Sequence, residues 1–333
     1  MPAPTVDIHA HFYPQAMLDV LAERGYSRGT TYASAAPEAL LQAGARRYAL
    51  HDVAFTDVAM RLKRMDAQRV AAQALSLPPP DVFAHEPALH ERLCRAFNDA
   101  ASAAHVQHPA RLAVLASLPV HAPAAALAEL ERAARLPGVR GICLGTRFVG
   151  RELSDPAFFG LWERIAAAGL PVFLHYAPLM VIGTPERLNA YHLGNVIGNT
   201  TETAIAAAHL IFGGVLDRLP GLEICLPHAG GVLPVLAGRL DRAYAVREEC
   251  QHLPRPPSEY LRRFRFDTVC HSPAILEFLV KQVGAERVML GSDYCFDMGA
   301  DQPVEAVERA SALTVGERER ILGGNAARLL GMQ

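Results

Sequence analysis

Short apolar runs alternate along this chain with longer stretches whose apolar positions recur every three or four residues. The short runs predict strands at Val6–His9, Ala71–Leu77, Leu112–Leu118, Val139–Leu144, Val172–His175, Leu222–Pro227, Phe264–Val269 and Val288–Ser292. Between them the helical period predicts Asp57–Gln68, Ala88–His105, Ala124–Arg135, Asp155–Ala168, Glu202–Leu219, Val232–Glu249 and Ala274–Val283. Eight strands alternating with helices, without a linker-like shift in composition, predict one α/β domain over residues 1–333. The expected architecture is a (β/α)8 TIM barrel rather than a doubly wound sheet. Two connections are longer than ordinary loops, an insertion at about 16–56 after strand one and residues 176–201 after strand five. Both leave the C-terminal ends of strands, where a barrel builds its active site. At the end of the chain Val315–Leu330 reads as a helix, with Thr314 as N-cap and Glu317 three residues on.

Polar residues at the strand ends carry the chemistry. In "TVDIHAHFYPQ" His9 and His11 close the first alternating run. Residues two apart on a strand point to one side, so both imidazoles can converge on one point. Strand five ends at His175 in "PVFLHYAP", strand six leads to His228 in "EICLPHAGG", and strand eight to Asp293 in "RVMLGSDY". One strand-end histidine is ordinarily structural. Four of them with an aspartate, at the same predicted edge, point to a metal site, because neutral imidazole plus carboxylate is the donor set of zinc and its neighbours. The Ala229–Gly231 stretch after His228 has two readings, open access to a metal or simple turn chemistry.

Composition narrows the partners. A formal net charge of -2 supplies no basic field for nucleic acid and no polybasic membrane signal. No apolar run reaches the roughly 18 residues of a membrane span, and no basic-then-apolar leader opens the chain. Six cysteines without a C-x-x-C pair suit reduced thiols, and the expected location is cytoplasmic. Cys143, Cys225 and Cys270 in or near strands, and Cys295 two past Asp293, read as packing residues. No phosphate loop or dinucleotide fingerprint is present, so a metal is the one cofactor supported.

The strand-end set resembles the amidohydrolase superfamily. Many of its members bind two metals bridged by a carboxylated lysine on strand four. Here strand four reads "VRGICLG", with Cys143, and the two lysines, Lys63 and Lys281, fall in predicted helices. One divalent ion is therefore expected, Zn2+ first, with Mn2+ or Co2+ as alternatives. The stretches "DIHAHFYP", "ETAIAAAHLIFGGVLDRLPGLEICLPHAGG", "AGRLDRAY", "PRPPSEYLRRFRFDT" and "RVMLGSDY" are similar to the branch that includes 2-amino-3-carboxymuconate-6-semialdehyde decarboxylase and related nonoxidative decarboxylases. That resemblance implies His9, His11, His175 and Asp293 as metal ligands with a water completing the site. It implies His228, together with Asp293, in catalysis through that water or on substrate. A metal lowers the pKa of its water to about 7, within reach of an imidazole whose own value is roughly 6.5.

Substrate contacts are less sharply marked. The resemblance implies that Arg239, in "AGRLDRAY", holds a substrate carboxylate in the neighbouring subunit of a homodimer; a solvated surface arginine is the other reading. Arg46, Arg47 and His51 in the first insertion, Arg147 after strand four, His271 after strand seven, and Tyr191 and His192 after strand five are further candidates. Where the resembled decarboxylase has Pro-Trp-Asp after the strand-five histidine, this chain has Tyr176–Pro178, so a different substrate is expected. The expected activity is decarboxylation of a small aromatic or unsaturated carboxylic acid. Hydrolysis of an amide or lactone, or hydration, is the alternative on the same site. A binding protein on a decayed barrel would have no need of an activated water.

Overall fold

The computed structural model describes residues 4–23, 27–29, 47–49, 55–78, 86–176, 185–188 and 190–332. Eight strands form one sheet in chain order: β1 (Val6–His11), β2 (Ala72–Ser76), β3 (Leu112–Ser117), β4 (Val139–Gly145), β5 (Val172–His175), β6 (Ile224–Leu226), β7 (Phe264–Asp267) and β8 (Val288–Met289). Neighbours are all parallel. The first and last strands meet, since Ile8 N donates to Leu290 O (2.9 Å), Asp293 N to His9 O (2.8 Å), and Ala10 bridges to Tyr294 in parallel. Buried Asp7 reinforces that seam by accepting from Ser292 N (3.0 Å) and Ser292 Oγ (2.5 Å). The result is the expected (β/α)8 barrel.

Helices α1 (Gln15–Ala22), α2 (Val58–Ala67), α3 (Pro87–Gln107), α4 (Pro123–Ala133), α5 (Phe159–Ala167), α6 (Thr200–Phe212), α7 (Leu233–Val246) and α8 (Pro273–Val283) connect the strands. Helix α2 begins where the sequence suggested, because the Asp57 side chain accepts from Met60 N (3.0 Å) and satisfies a first-turn donor. The predicted Glu202–Leu219 helix divides in two: α6 stops at Gly213, and Gly214 (φ +68) opens Val215–Arg218. The terminal helix carries the full capping box of Thr314 and Glu317, and widens into a π-turn at Arg320–Gly324 before resuming at Asn325–Leu330. Apolar faces such as Leu89, Leu93 and Phe97 of α3 join β2 and β3 residues in the main core. A smaller cluster holds Ile8, Leu115, Cys143, Phe173, Cys225 and Met289.

Within the insertion expected at 16–56, α1 occupies the start and two short parallel strands pair Ser27–Gly29 with Arg47–Ala49. Arg46 and His51 lie outside the described residues, as does the side chain of Arg47. Among the described residues no helix is long and apolar enough to cross a membrane.

Candidate metal centre

All the barrel strands run parallel, so their C-terminal ends share one rim, and His11 and His175 are the last residues of β1 and β5. A register irregularity in β1 between Asp7 and Ala10 includes His9, and the Nε2 atoms of His9 and His11 come within 3.2 Å of each other. His9, His11, His175 and Asp293 each offer one ligand atom, and these atoms all lie within 4.8 Å of one another. All four side chains are buried. Asp293 Oδ1 stands 3.1 Å from His9 Nε2 and 3.0 Å from His11 Nε2.

The outer nitrogen of each histidine is engaged elsewhere, and this sets the tautomers. His9 Nδ1 lies 2.6 Å from Asp267 Oδ2. Asp267 is buried, which raises a carboxyl pKa, but its bonds and charge interaction with His9 outweigh that and hold it below the ordinary range. An ionised carboxylate only accepts, so His9 Nδ1 carries the proton. His175 Nδ1 is 3.0 Å from the Tyr176 carbonyl, which also only accepts. Ser76 Oγ donates to Ala10 O (3.2 Å) and is left to accept from His11 Nδ1 at 3.1 Å. Three Nε2 atoms are thereby aimed at one point, and His175 Nε2 is buried without a hydrogen-bond partner among the described residues. A buried lone pair without a donor is costly unless something fills the space between. This donor set, with outer partners fixing each ring, fits a divalent metal.

Electrostatics leave His11 and His175 with free Nε2 lone pairs, while His9 would give up its Nε2 proton to a bound ion. Burial, with the charges of His11 and His9 added, holds His175 well below its ordinary value, and burial pushes His11 down to about 4. Both rings are therefore neutral and able to coordinate. Burial also acts to lower His9, but Asp293 and Asp267 overcome it and raise it to about 10. Asp293 stays ionised because His9, His11 and His228 outweigh the desolvation of its carboxylate.

His228 stands slightly apart. Its Nε2 is 3.4 Å from Asp293 Oδ2, its ring centre 5.3 Å from that of His9, and its side chain is 13% exposed. Nδ1 of His228 has no hydrogen-bond partner among the described residues. The backbone turn that presents it (φ +53) is held by Asp267, which accepts from His228 N (3.0 Å) and Ala229 N (2.8 Å). The glycines that follow serve packing: a Cβ on Gly231 would lie 1.9 Å from the Thr200 carbonyl. Close packing and positive φ account for Gly230 and Gly231.

Arg147 is tied into a hairpin by Glu152 (3.2 Å) and the Gly150 carbonyl (2.6 Å). Tyr191 is 90% exposed on the short 190–192 turn, and His192 is half-buried beside it. His271 is exposed beyond β7, and Arg239 is exposed on α7. Lys63 and Lys281 lie on α2 and α8, and Cys143 is buried in β4, so no lysine reaches the site from strand four.

Several contributors are absent from the sequence reading. Asp267 ends β7 as Asp293 follows β8, and that carboxylate at a strand end was a usable signal. Arg61 has no such signal. It is fully buried on α2, donating to the His11 carbonyl and to Gln73 Oε1 (3.0 Å), with its guanidinium over the Phe12 (5.6 Å) and Tyr294 (5.4 Å) rings. Phe296 packs its ring 5.1 Å from that of His11.

Comparison with known proteins bears on this geometry. The amidohydrolase family profile matches residues 6–332. The 2-amino-3-carboxymuconate-6-semialdehyde decarboxylase of Dictyostelium discoideum is 30% identical over 332 residues, 98% of this chain and 91% of that one. The 5-carboxyvanillate decarboxylase of Sphingomonas paucimobilis superposes with a TM-score of 0.84 at 26% identity, over 99% of this chain and 100% of that one. A dihydroxybenzoic acid decarboxylase from Polaromonas sp. JS666, solved with bound manganese and 2-nitroresorcinol, shares the fold at TM-score 0.77 and 22% identity, over 99% and 97% of the two chains.

Proposed function

Because this chain belongs to the amidohydrolase family, we propose that it is a mononuclear metal-dependent nonoxidative decarboxylase of a small aromatic or unsaturated carboxylic acid, with an aromatic acid favoured. The observation that carries the reading is the convergence of three Nδ1-protonated histidines on Asp293, with His228 alongside but outside the group. The named relatives are decarboxylases, which favours carbon–carbon cleavage over hydrolysis.

His9, His11, His175 and Asp293 would hold the ion, Zn2+ in the first instance, with Mn2+ and Co2+ compatible with the same donors. Bound there, it supplies the positive charge that draws in a carboxylate and stabilises negative charge developing on oxygen. Asp267 holds His9 and the His228 backbone in fixed relation to each other. His228, paired with Asp293 through Nε2, is the group placed to hold a proton and move it to substrate. When the carbon–carboxylate bond breaks, its electron pair stays on the substrate carbon. That carbon takes one proton in place of CO2, so carboxylate plus one proton gives the shortened product and CO2.

The test is metal-loaded protein incubated with hydroxybenzoates, muconate semialdehydes, lactones and anilides, following CO2 and product mass together. Gas release with a product lighter by one CO2 is expected. A product heavier by one water, without gas, would assign the site to hydrolysis or hydration.

The assembly in this reading is a homodimer in which Arg239 reaches the neighbouring site. It is supported by the face of α7 around that arginine, where Val235 is 71% exposed and Leu236 and Val246 are also exposed. A subunit lacking Arg239 (Arg239→Ala) mixed with one lacking His228 (His228→Ala) is expected to regain activity in the heterodimer. Confirmed subunit exchange without recovery would remove Arg239 from the site. A cytoplasmic location accords with six free cysteines and none in a disulfide among the described residues.

A further inference from the structure

Helix α2 turns two side chains into the protein interior, Met65 and, one turn earlier, Arg61. Methionine suits such a place. A fully buried arginine does not, unless its directional bonds are needed there. Those bonds reach both chain segments that carry metal ligands across the barrel seam. One guanidinium nitrogen, Nη2, donates to the His11 carbonyl and lies 3.5 Å from Cys295 Sγ, two residues past Asp293. The other, Nη1, donates to Gln73 Oε1 (3.0 Å) on β2, and Gln73 Nε2 donates in turn to Asp7 Oδ2 (2.9 Å). Asp7 takes the far ends of the same two segments, accepting from His9 N (3.0 Å) and from Ser292 N (3.0 Å) and Oγ (2.5 Å). His9–His11 and Ser292–Cys295 are thus each held at one end by Asp7 and at the other by Arg61, with Gln73 between the two. Asp7, Arg61, Gln73 and Ser292 are all buried.

We propose that Arg61 is a positioning residue of the metal centre. Through Gln73 and Asp7 it fixes the separation of the His11 and Asp293 segments, and with it the geometry of the ligand set. This rests on the reading in which His9, His11, His175 and Asp293 hold a divalent ion. His11 is the last residue of β1 and Asp293 sits at φ +59 in the turn beyond β8, yet their ligand atoms must stand 3.0 Å apart. A planar guanidinium, with donors in fixed directions, spans two acceptors at a set distance, which a flexible ammonium does less well. The Phe12 and Tyr294 rings, 5.6 Å and 5.4 Å from the central carbon, hold the guanidinium between them. Arg61 is assigned no contact with ion or substrate, and no proton passes through it. Its effect is on how tightly, and in what geometry, the ion is held.

The experiment compares wild type, Arg61→Met, Arg61→Lys and Met65→Ala, each stripped of metal and then titrated with Zn2+ against a competing chelator. Met65→Ala opens a cavity on the same face of the same helix, and so measures what disturbed packing alone does to the site. Arg61→Met keeps apolar bulk without the donors. It is expected to weaken the ion about 10- to 100-fold, against less than about threefold for Met65→Ala. Arg61→Lys keeps one cationic donor for the His11 carbonyl and is expected to fall between Arg61→Met and wild type. The visible absorption of the Co2+-loaded proteins reports ligand geometry. It should shift in both Arg61 variants and stay as wild type in Met65→Ala. If Arg61→Met does not fold, Arg61→Lys carries the comparison on the same terms. Arg61 variants that match Met65→Ala in affinity and spectrum would overturn the proposal alone. Wild type that takes up no ion would overturn the metal-centre reading, and the proposal with it.

Discussion

The carboxylate of Asp267 accepts four hydrogen bonds, from His9 Nδ1 (2.6 Å) and from the backbone nitrogens of His228 (3.0 Å), Ala229 (2.8 Å) and Val269 (3.0 Å). One buried side chain thus orients a metal ligand and the turn bearing His228. An amide in its place has one accepting oxygen and turns an N–H donor towards groups that are themselves donors. Asp267→Asn is therefore expected to weaken metal binding about 10- to 100-fold, read by titration against a competing chelator; unchanged affinity would remove Asp267 from the support of His9. Its place in the site was hard to read because His9 and Asp267 are 258 positions apart, and only the closed barrel brings them together. His9 and His11 were readable because the strand itself puts both on one side. Glu202, in the first turn of α6, shows the same limit. It is buried with Oε1 unpartnered among the described residues, and burial lifts it from 4.5 to about 7, Arg147 opposing and Glu152 adding to the rise. A folded-state pKa above the unfolded value means the native state binds the proton more tightly. Stability is therefore lost as pH rises from about 4.5 through about 7. Glu202→Gln is expected to raise stability at pH 8 by about 2 kcal/mol and to change little at pH 5. Denaturant melts at the two pH values measure this, and an equal effect at both would refute the charge argument.

The turn from Ser292 to Gln302 shows what a single element does for the site. It carries Asp293 to the metal ligands and Phe296 to His11, and Gly299 closes it on itself. A Cβ on Gly299 would lie 2.8 Å from Ser292 O and 2.9 Å from both Asp293 O and Phe296 O. Those carbonyls already accept from Ala300 N (2.7 Å), Phe296 N (3.1 Å) and Gly299 N (3.0 Å), so none can retreat without breaking a bond. Gly299→Ala is expected to cost about 1–3 kcal/mol of stability and to weaken metal binding, because Asp293 moves with the turn. Thermal melts with and without added metal measure both; a loss of stability with metal affinity intact would separate the turn from the site. Elements built from local pattern were readable. Val172–His175 occurs as expected, and Asp57 caps α2 within one turn. Elements set by contact were not. β6 shortens to Ile224–Leu226, and α6 ends at Gly213, where a Cβ would lie 2.2 Å from that of Ser154, a neighbour that periodicity does not reveal.

At the scale of the molecule, the ligand set joins opposite sides of the barrel. His9 and His11 come from β1, His175 from the opposite β5, and Asp293 from beyond β8, across the seam where the sheet closes. Asp7 and Ser292 hold that seam with hydrogen bonds, but β5 has no backbone pairing with β1. An ion bound by all four residues would be a cross-brace over the barrel mouth. It would also neutralise Asp293 and satisfy His175 Nε2, groups whose burial is otherwise costly. Since the unfolded chain cannot hold the four ligands together, binding free energy becomes folding free energy. At a free metal concentration about 100 times Kd the gain is about 2.7 kcal/mol, which for a chain of this length raises Tm by several degrees. Protein stripped with chelator is expected to melt lower by that amount, to recover on adding Zn2+ or Mn2+, and to show a midpoint that rises with metal concentration. His175→Ala should flatten that dependence because it removes the brace from β5 while leaving β1 and the seam intact. A stripped protein that melts unchanged, with metal removal verified by elemental analysis, would mean the four residues meet for packing rather than for an ion.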